Sequence, residues 1–185
     1  MTPDIVAAVG PVAAVFRALG VPFHVGGSVA SSLLGVARTT LDVDLVADLQ
    51  ERHIGPFVQA LDSEYYVSEE AVREAVAQRA CFNLIHYETM LKVDVFTLKT
   101  RPFDQLSFSR ARPLALDPGD ESTLVPTASA EDIILHKLEW YRLGGEISER
   151  QWLDVLGVMR VHRATLDRDY LATWGDQWWQ TAPRE

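Results

Sequence analysis

Val25-Gly26-Gly27-Ser28, followed thirteen residues later by Leu41-Asp42-Val43-Asp44-Leu45-Val46, is the stretch on which the reading of this chain turns. A strand alternates its side chains between two faces, so Asp42 and Asp44 project together while Leu41, Val43 and Leu45 project the other way. Two carboxylates on one face of an otherwise apolar strand repel each other and resist desolvation. The pattern asks for a compensating positive charge, most simply a divalent cation held by oxygen ligands. Upstream, a short strand over 23–25, a glycine turn and a helix beginning at Ser28 present free backbone N–H groups at a positive helix end, which suits a phosphate. The Ser28 hydroxyl can donate to it. Taken singly, each motif has an ordinary reading, a turn with a serine N-cap and a solvated strand edge, so neither decides by itself.

Asp94 is the third element. The segments 81–87 and 91–98 read as the arms of a hairpin with Glu88-Thr89-Met90 at its turn, and Asp94 lies between Val93 and Val95 in the second arm. Three carboxylates meeting at one sheet edge would hold two Mg²⁺ ions about 3.5–4 Å apart, the arrangement for in-line phosphoryl or nucleotidyl transfer.

Around this nucleus the pattern is mixed. Val6, Val9, Ala13, Phe16 and Leu19 form a helical stripe ended by Gly20, and Gly35 suits the C-terminal cap of the helix that Ser28 opens. Pro56 fits the first turn of a helix burying Phe57, Val58 and Leu61, and 69–79 reads as another helix. Residues 101–127 look like edge strands and loops. Beyond them, Ser129 caps a helix with Ile133, Ile134, Leu138 and Tyr141, stopped by Gly144-Gly145. Ser148 and Gln151 spell a capping box for the next helix, and Asp167 caps a third that turns Tyr170, Leu171, Trp174 and Trp178 inward. The expectation is an α+β fold, a mixed sheet flanked by helices, with a core over residues 1–126 and a C-terminal helical region over 127–185 packed against it.

Composition sets the boundaries. The chain has 185 residues and a formal charge of −9, which opposes broad, nonspecific nucleic-acid binding but not a nucleotide reached through Mg²⁺. The lone Cys81 excludes an intrachain disulfide. The apolar run 5–16 lacks a basic n-region and is too short to span a membrane, so the protein reads as cytoplasmic with no membrane partner.

At this point the chain resembles a known family. Val25-Gly26-Gly27-Ser28, Arg38-Thr39-Thr40-Leu41-Asp42-Val43-Asp44-Leu45-Val46 and Lys92-Val93-Asp94-Val95-Phe96 are similar to the nucleotidyltransferase superfamily that includes DNA polymerase β. Glu131-Asp132-Ile133-Ile134-Leu135-His136-Lys137-Leu138 and Arg150-Gln151-Trp152-Leu153-Asp154-Val155-Leu156 resemble its AbiEii-type group, which includes toxins of toxin–antitoxin systems. The resemblance implies a Mg²⁺-dependent transfer of a nucleoside monophosphate from an NTP to an acceptor hydroxyl on RNA, a tRNA 3′ end or a protein, with a cognate antitoxin as a partner. Aminoglycoside-type transfer to a small molecule and a catalytically silent nucleotide- or partner-binding member are the alternatives. It further implies that Gly26, Gly27 and Ser28 hold the triphosphate, that Asp42, Asp44 and Asp94 ligate metal, and that Asp94 helps deprotonate the acceptor. Lys137 would contact the phosphates as a catalytic cation, with Asp154 close by.

Other residues keep two readings. Lys137 shares a helix side with Ile134 and Tyr141, where a lysine can simply lay its stem. Asp154 could pair with Arg150 one turn earlier. Arg38 could reach the triphosphate or brace the loop before the aspartate strand. Lys92 shares a face with Asp94 and could orient it or bind substrate, or simply face solvent. His24 and His136 lack companions at metal-ligand spacing. Trp174, Trp178 and Trp179 could form a base-stacking platform, though packing of the last helix is the simpler use.

Overall fold

In the computed structural model the described residues run from 3 to 181, with backbone alone described for 178–181. The expected side-chain roles of Trp178 and Trp179 therefore lie outside the described residues. The elements in chain order are α1 (Pro3–Ala18), β1 (Phe23–Val25), α2 (Gly27–Leu34), β2 (Asp42–Ala47), α3 (Ile54–Leu61), β3 (Tyr65–Tyr66) and α4 (Glu69–Gln78). There follow β4 (Cys81–His86), β5 (Lys92–Thr97), α5 (Pro102–Ser109), β6 (Arg112–Ala115), β7 (Leu124–Thr127), α6 (Ala130–Leu143), α7 (Glu149–His162) and α8 (Arg168–Thr181).

The strands form one mixed sheet in the order β3-β4-β5-β2-β1-β7-β6. β2 runs antiparallel to β1 and parallel to β5, in a register that sets Asp42 beside Lys92 and Asp44 beside Asp94. The alternation expected from the sequence is realised. Val43, Leu45, Val93 and Val95 are fully buried, while the alternate positions 42, 44, 94 and 96 are only partly covered. The buried positions join the side chains of α1, α3 and α4 in one core, in which the rings of Phe16 and Phe57 stack at 5.1 Å and Phe57 meets Phe82 edge-on at 5.9 Å. Burial of such aromatic and branched side chains supplies the main driving force for this half.

The C-terminal helices add to the same core: Ile133, Ile134, Val155 and Val158 belong to it. α6 and α7 both contact α2. Gly35 ends α2 as expected, but at φ −133° its backbone needs no glycine. Its cause is proximity: a Cβ there would come within 2.9 Å of the Val158 backbone nitrogen of α7. The caps at Ser129, Ser148 and Asp167 form, accepting from Asp132, Gln151 and Tyr170 backbone N–H groups.

Residues 101–127 depart from the loops-and-strands expectation. They contain β6 and β7, but also α5, whose signal was Pro102 at the first helical position and a buried pair, Phe103 and Ser107, four residues apart. Four prolines across the stretch hid that short helix from a reading based on periodicity.

Candidate functional site

The site is assembled on the half-covered face of β2 and β5. Neighbouring strands lie about 4.8 Å apart, so the register places Asp44 and Asp94 side by side with Asp42 two residues along the same face. Each carboxylate has its own local partner. Thr40 Oγ1 donates to Asp42 Oδ1 at 2.7 Å, the Ser28 N–H faces Asp44 Oδ2 at 3.4 Å, and Lys92 Nζ pairs with Asp94 at 2.7 Å. Burial pushes the Asp44 carboxyl above the usual carboxylate range. The charges of Asp42 and Asp94 push it the same way, against the Ser28 N–H and Lys137.

As they stand, no three His, Cys, Asp or Glu side chains among the described residues are gathered closely enough to hold an ion. The donor chemistry nevertheless fits Mg²⁺. The candidates are hard carboxylate oxygens on one face, and Asp44 carries a repulsion that a bound cation would relieve.

The glycine turn abuts this group. The Gly26 N–H donates to the Asp44 carbonyl at 2.8 Å. Gly27 sits at φ +53°, and a Cβ there would fall 1.7 Å from Asp44 Oδ2, so both conformation and space demand glycine. The N-terminus of α2 therefore faces the carboxylate patch and Ser28 lies at its border.

On the other side of Ser28 lies a knot of cations. Ser28 Oγ accepts from Arg38 Nη2 at 2.8 Å, Arg150 Nη2 at 3.3 Å and Lys137 Nζ at 3.5 Å. Asp154 accepts from Arg38 Nε and Nη2 and from Lys137 Nζ, all at 2.7 Å. The Lys137 and Asp154 side chains are only 7% and 5% exposed. Burial works to raise the Asp154 pKa, but the Arg38 and Lys137 hydrogen bonds and charges prevail and hold it below the usual carboxylate range.

Asp154 thus pairs with Arg38 and Lys137 rather than with Arg150. Arg150 instead points to Ser28 and approaches Asp42 at 3.9 Å. Helical spacing alone favoured the i, i+4 pair; tertiary packing of α7 on α2 and α6 turned Asp154 inward. Three cations against one carboxylate leave positive charge at a helix N-terminus, an arrangement suited to a polyphosphate. Sequence reasoning left Arg150 out of the site, and nothing in its local spacing marks it.

From this knot a cavity of about 550 Å³ runs along the sheet past Asp44, Val46 and Phe96 to Arg101, roofed by His136, Lys137 and Trp140 of α6. α5, missed in the sequence, supplies Asp104 and Ser107 to its wall. Arg101 binds Asp104 through two hydrogen bonds, at 2.6 and 2.9 Å, and reaches Glu139 at 2.6 Å. His24 is a wall residue: burial, with His136 close by, pushes its pKa down to about 3 and keeps it neutral. His136 lies 3.4 Å from Ser107 Oγ and 3.9 Å from Glu139.

No protein-family model matches the chain, and no curated protein matches it in sequence. Solved structures do match in shape. The antibiotic-resistance factor ANT(2'')-Ia aligns over 97% of this chain and 94% of its own, at 14% identity and a TM-score of 0.61. A nucleotidyltransferase-like protein from Paracoccidioides brasiliensis aligns over 98% and 90%, at 19% identity and a TM-score of 0.61. The lincosamide antibiotic adenylyltransferase LnuA, in a lincomycin-bound structure, aligns over 87% and 98%, at 13% identity and a TM-score of 0.51.

The chain has the nucleotidyltransferase fold. At these identities the likeness extends to architecture, and the residues must carry any statement about chemistry. No helix among the described residues is long and apolar enough to cross a membrane.

Proposed function

We propose that the protein is a Mg²⁺-dependent nucleotidyltransferase that joins a nucleoside monophosphate from an NTP to a hydroxyl of a small-molecule acceptor. One observation carries the reading: the Asp42, Asp44 and Asp94 patch lies against Gly27 and Ser28, with the Arg38, Lys137 and Arg150 cations immediately beyond. A triphosphate needs both halves.

The chain's own groups divide the work. Arg38, Lys137, Arg150 and the Ser28 hydroxyl hold the terminal phosphates and stabilise charge as the bond from the α-phosphorus to the departing pyrophosphate oxygen breaks. Asp94 accepts the proton of the acceptor hydroxyl as its oxygen bonds to the α-phosphorus, and Lys92 steadies that carboxylate. Asp42, Asp44 and Asp94 would hold Mg²⁺, which when bound neutralises the phosphates and orients them. Asp154 positions Arg38 and Lys137.

The small-molecule acceptor is supported by a cavity of drug-like size in a chain of net charge −9. The shape neighbours include ANT(2'')-Ia in complex with adenylyl-2''-tobramycin, as well as LnuA with lincomycin. A second reading follows the AbiEii-type resemblance, with transfer to an RNA or protein hydroxyl by a toxin restrained by an antitoxin. It is favoured by α7, which exposes Leu153, Met159 and Val161, and by the Arg160, Arg163 and Arg168 side chains around a shallow groove nearby.

The test is incubation of the protein with Mg²⁺ and each α-labelled NTP against tobramycin, lincomycin, total tRNA and cell extract, beside Asp42→Ala. Label on a small molecule, lost in the variant, is expected. Label on tRNA or protein selects the second reading. No label on any acceptor leaves a silent nucleotide-binding member of the fold.

A further inference from the structure

The order of the strands says from which side an acceptor reaches the site. In the proposed reaction the departing phosphates are held at Ser28, by Arg38, Lys137 and Arg150. From there the sheet runs β1, β2, β5, β4. One row of positions crosses it: the Gly26 N–H bonds to the Asp44 carbonyl, Asp44 is in register with Asp94, and Asp94 with Asn83. Neighbouring strands lie about 4.8 Å apart, so each step along the row moves that far from the glycine turn. In an in-line displacement the attacking and departing oxygens lie on opposite sides of the phosphorus. With the α-phosphorus at the carboxylates and pyrophosphate leaving toward α2, the hydroxyl must arrive from the side of β4.

That side is open. Strand alternation puts Cys81, Asn83 and Ile85 on the face of Asp94 and turns Phe82 and Leu84 the other way. Phe82 and Leu84 are buried in the core, whereas Cys81 and Asn83 are exposed. Asn83 brings both a good donor and a good acceptor, and its amide makes no hydrogen bond among the described residues. Lys92, the other polar neighbour of Asp94, is already paired with it at 2.7 Å. Cys81 is in register with Phe96, which lines the cavity. A small molecule whose body fills the cavity can therefore pass Phe96 and bring its hydroxyl to Asp94 from this strip.

We propose that the exposed face of β4 is the acceptor's side of the site and that Asn83 binds the acceptor there. This rests on the nucleotidyltransferase reading above and names the residue that orients its acceptor. As the acceptor oxygen bonds to the α-phosphorus and the bond to pyrophosphate breaks, the proton passes to Asp94. The Asn83 amide holds a second polar group of the acceptor meanwhile, fixing the line of attack. Side chains directly opposite each other on one face start only about 5 Å apart. The second group therefore sits next to the reacting hydroxyl, and the acceptor is a vicinal diol or amino alcohol.

The test is steady-state kinetics with Mg²⁺ and α-labelled NTP on whichever of tobramycin, lincomycin and tRNA becomes labelled. Calorimetric binding of the α,β-methylene analogue of that NTP runs beside it. Asn83→Leu keeps the size of the side chain and removes its hydrogen bonds. It should raise the acceptor KM about tenfold while leaving the NTP KM and the analogue affinity unchanged. Cys81→Trp fills the strip between Asn83 and the cavity and should raise the acceptor KM by a similar factor, again sparing the nucleotide.

An acceptor KM that Asn83→Leu leaves at its wild-type value, or an analogue affinity that falls along with it, overturns the assignment while transfer itself stands. Label carried only by protein side chains, which lack the adjacent second group, overturns it as well. Wild-type protein that labels no acceptor at all fails at the transferase reading, and the acceptor side falls with it.

Discussion

The two sides of Ser28 differ in how their charges are balanced. On one side Asp154 is shared by Arg38 and Lys137 at 2.7 Å, and the group is neutralised by the protein itself apart from surplus positive charge. On the other side Asp42, Asp44 and Asp94 face the same way, and Asp44 is held above its ordinary pKa by burial and by its two neighbours. Under the proposed function the first side would receive the anionic phosphates and the second the cation that relieves its repulsion. Function in this reading needs the mismatch, because a nucleoside triphosphate with its metal is complementary to both sides at once.

The largest expected effect comes from the carboxylate side. Asp44→Asn should lower transfer by about three orders of magnitude, as expected when several kcal/mol of metal-borne stabilisation is lost. The same variant should unfold at a higher temperature than wild type in metal-free buffer at pH 7. The sign follows from the raised pKa: the ionised form is disfavoured in the fold, so stability is lost as pH rises from the unfolded-state value through the folded one. Mg²⁺ should raise the wild-type melting temperature and leave Asp44→Asn nearly unmoved. A variant no more stable than wild type without metal would break the comparison.

Next in size is the self-balanced side. Asp154→Ala leaves Arg38 and Lys137 facing each other and should cost about 3 kcal/mol by urea unfolding at pH 7. Because the Asp154 pKa is lowered, its contribution is fully present above the unfolded-state value. It is lost as pH falls through the folded-state value, so the gap to the variant should close in acid.

Gly27→Ala should come third, at about 1–2 kcal/mol, with a much larger loss of activity. Its new Cβ can be accommodated only by moving the Asp44 carboxylate.

Arg150→Ala should raise the KM for NTP about tenfold, the value of one charge-assisted contact, with little change in unfolding, since its side chain is 57% exposed. The smallest stability effect belongs to Lys92→Ala, below about 1 kcal/mol for an ion pair whose lysine is 47% exposed. It would sharpen the comparison by showing whether Asp94 works without its lysine.

The halves also differ in how much could be read in advance. The carboxylate side was legible because strand alternation is local: 42 and 44 must share a face wherever the strand lies. The α+β sheet was expected once both segments were recognised as strands, but the parallel register that sets Asp44 beside Asp94 came from the tertiary structure, because strand periodicity does not choose a neighbour. The cation side was legible only in part. Lys137, Arg38 and Asp154 were marked by resemblance, but their mutual bonds join residues more than a hundred positions apart as well as neighbouring helices. Spacing along α7 pointed Asp154 toward Arg150, a contact worth only a few tenths of a kcal/mol, and a buried partnership with two cations outweighs it.

The sequence by itself determined the facing carboxylates, the glycine step and the capped helices, because each depends on bonds and periodicities within a few residues. Only the tertiary structure decided which cations meet at Ser28, that α5 walls the cavity, and that Asp44 stands beside Asp94. These outcomes depend on which distant surfaces exclude water together, and local chain geometry carries no record of that.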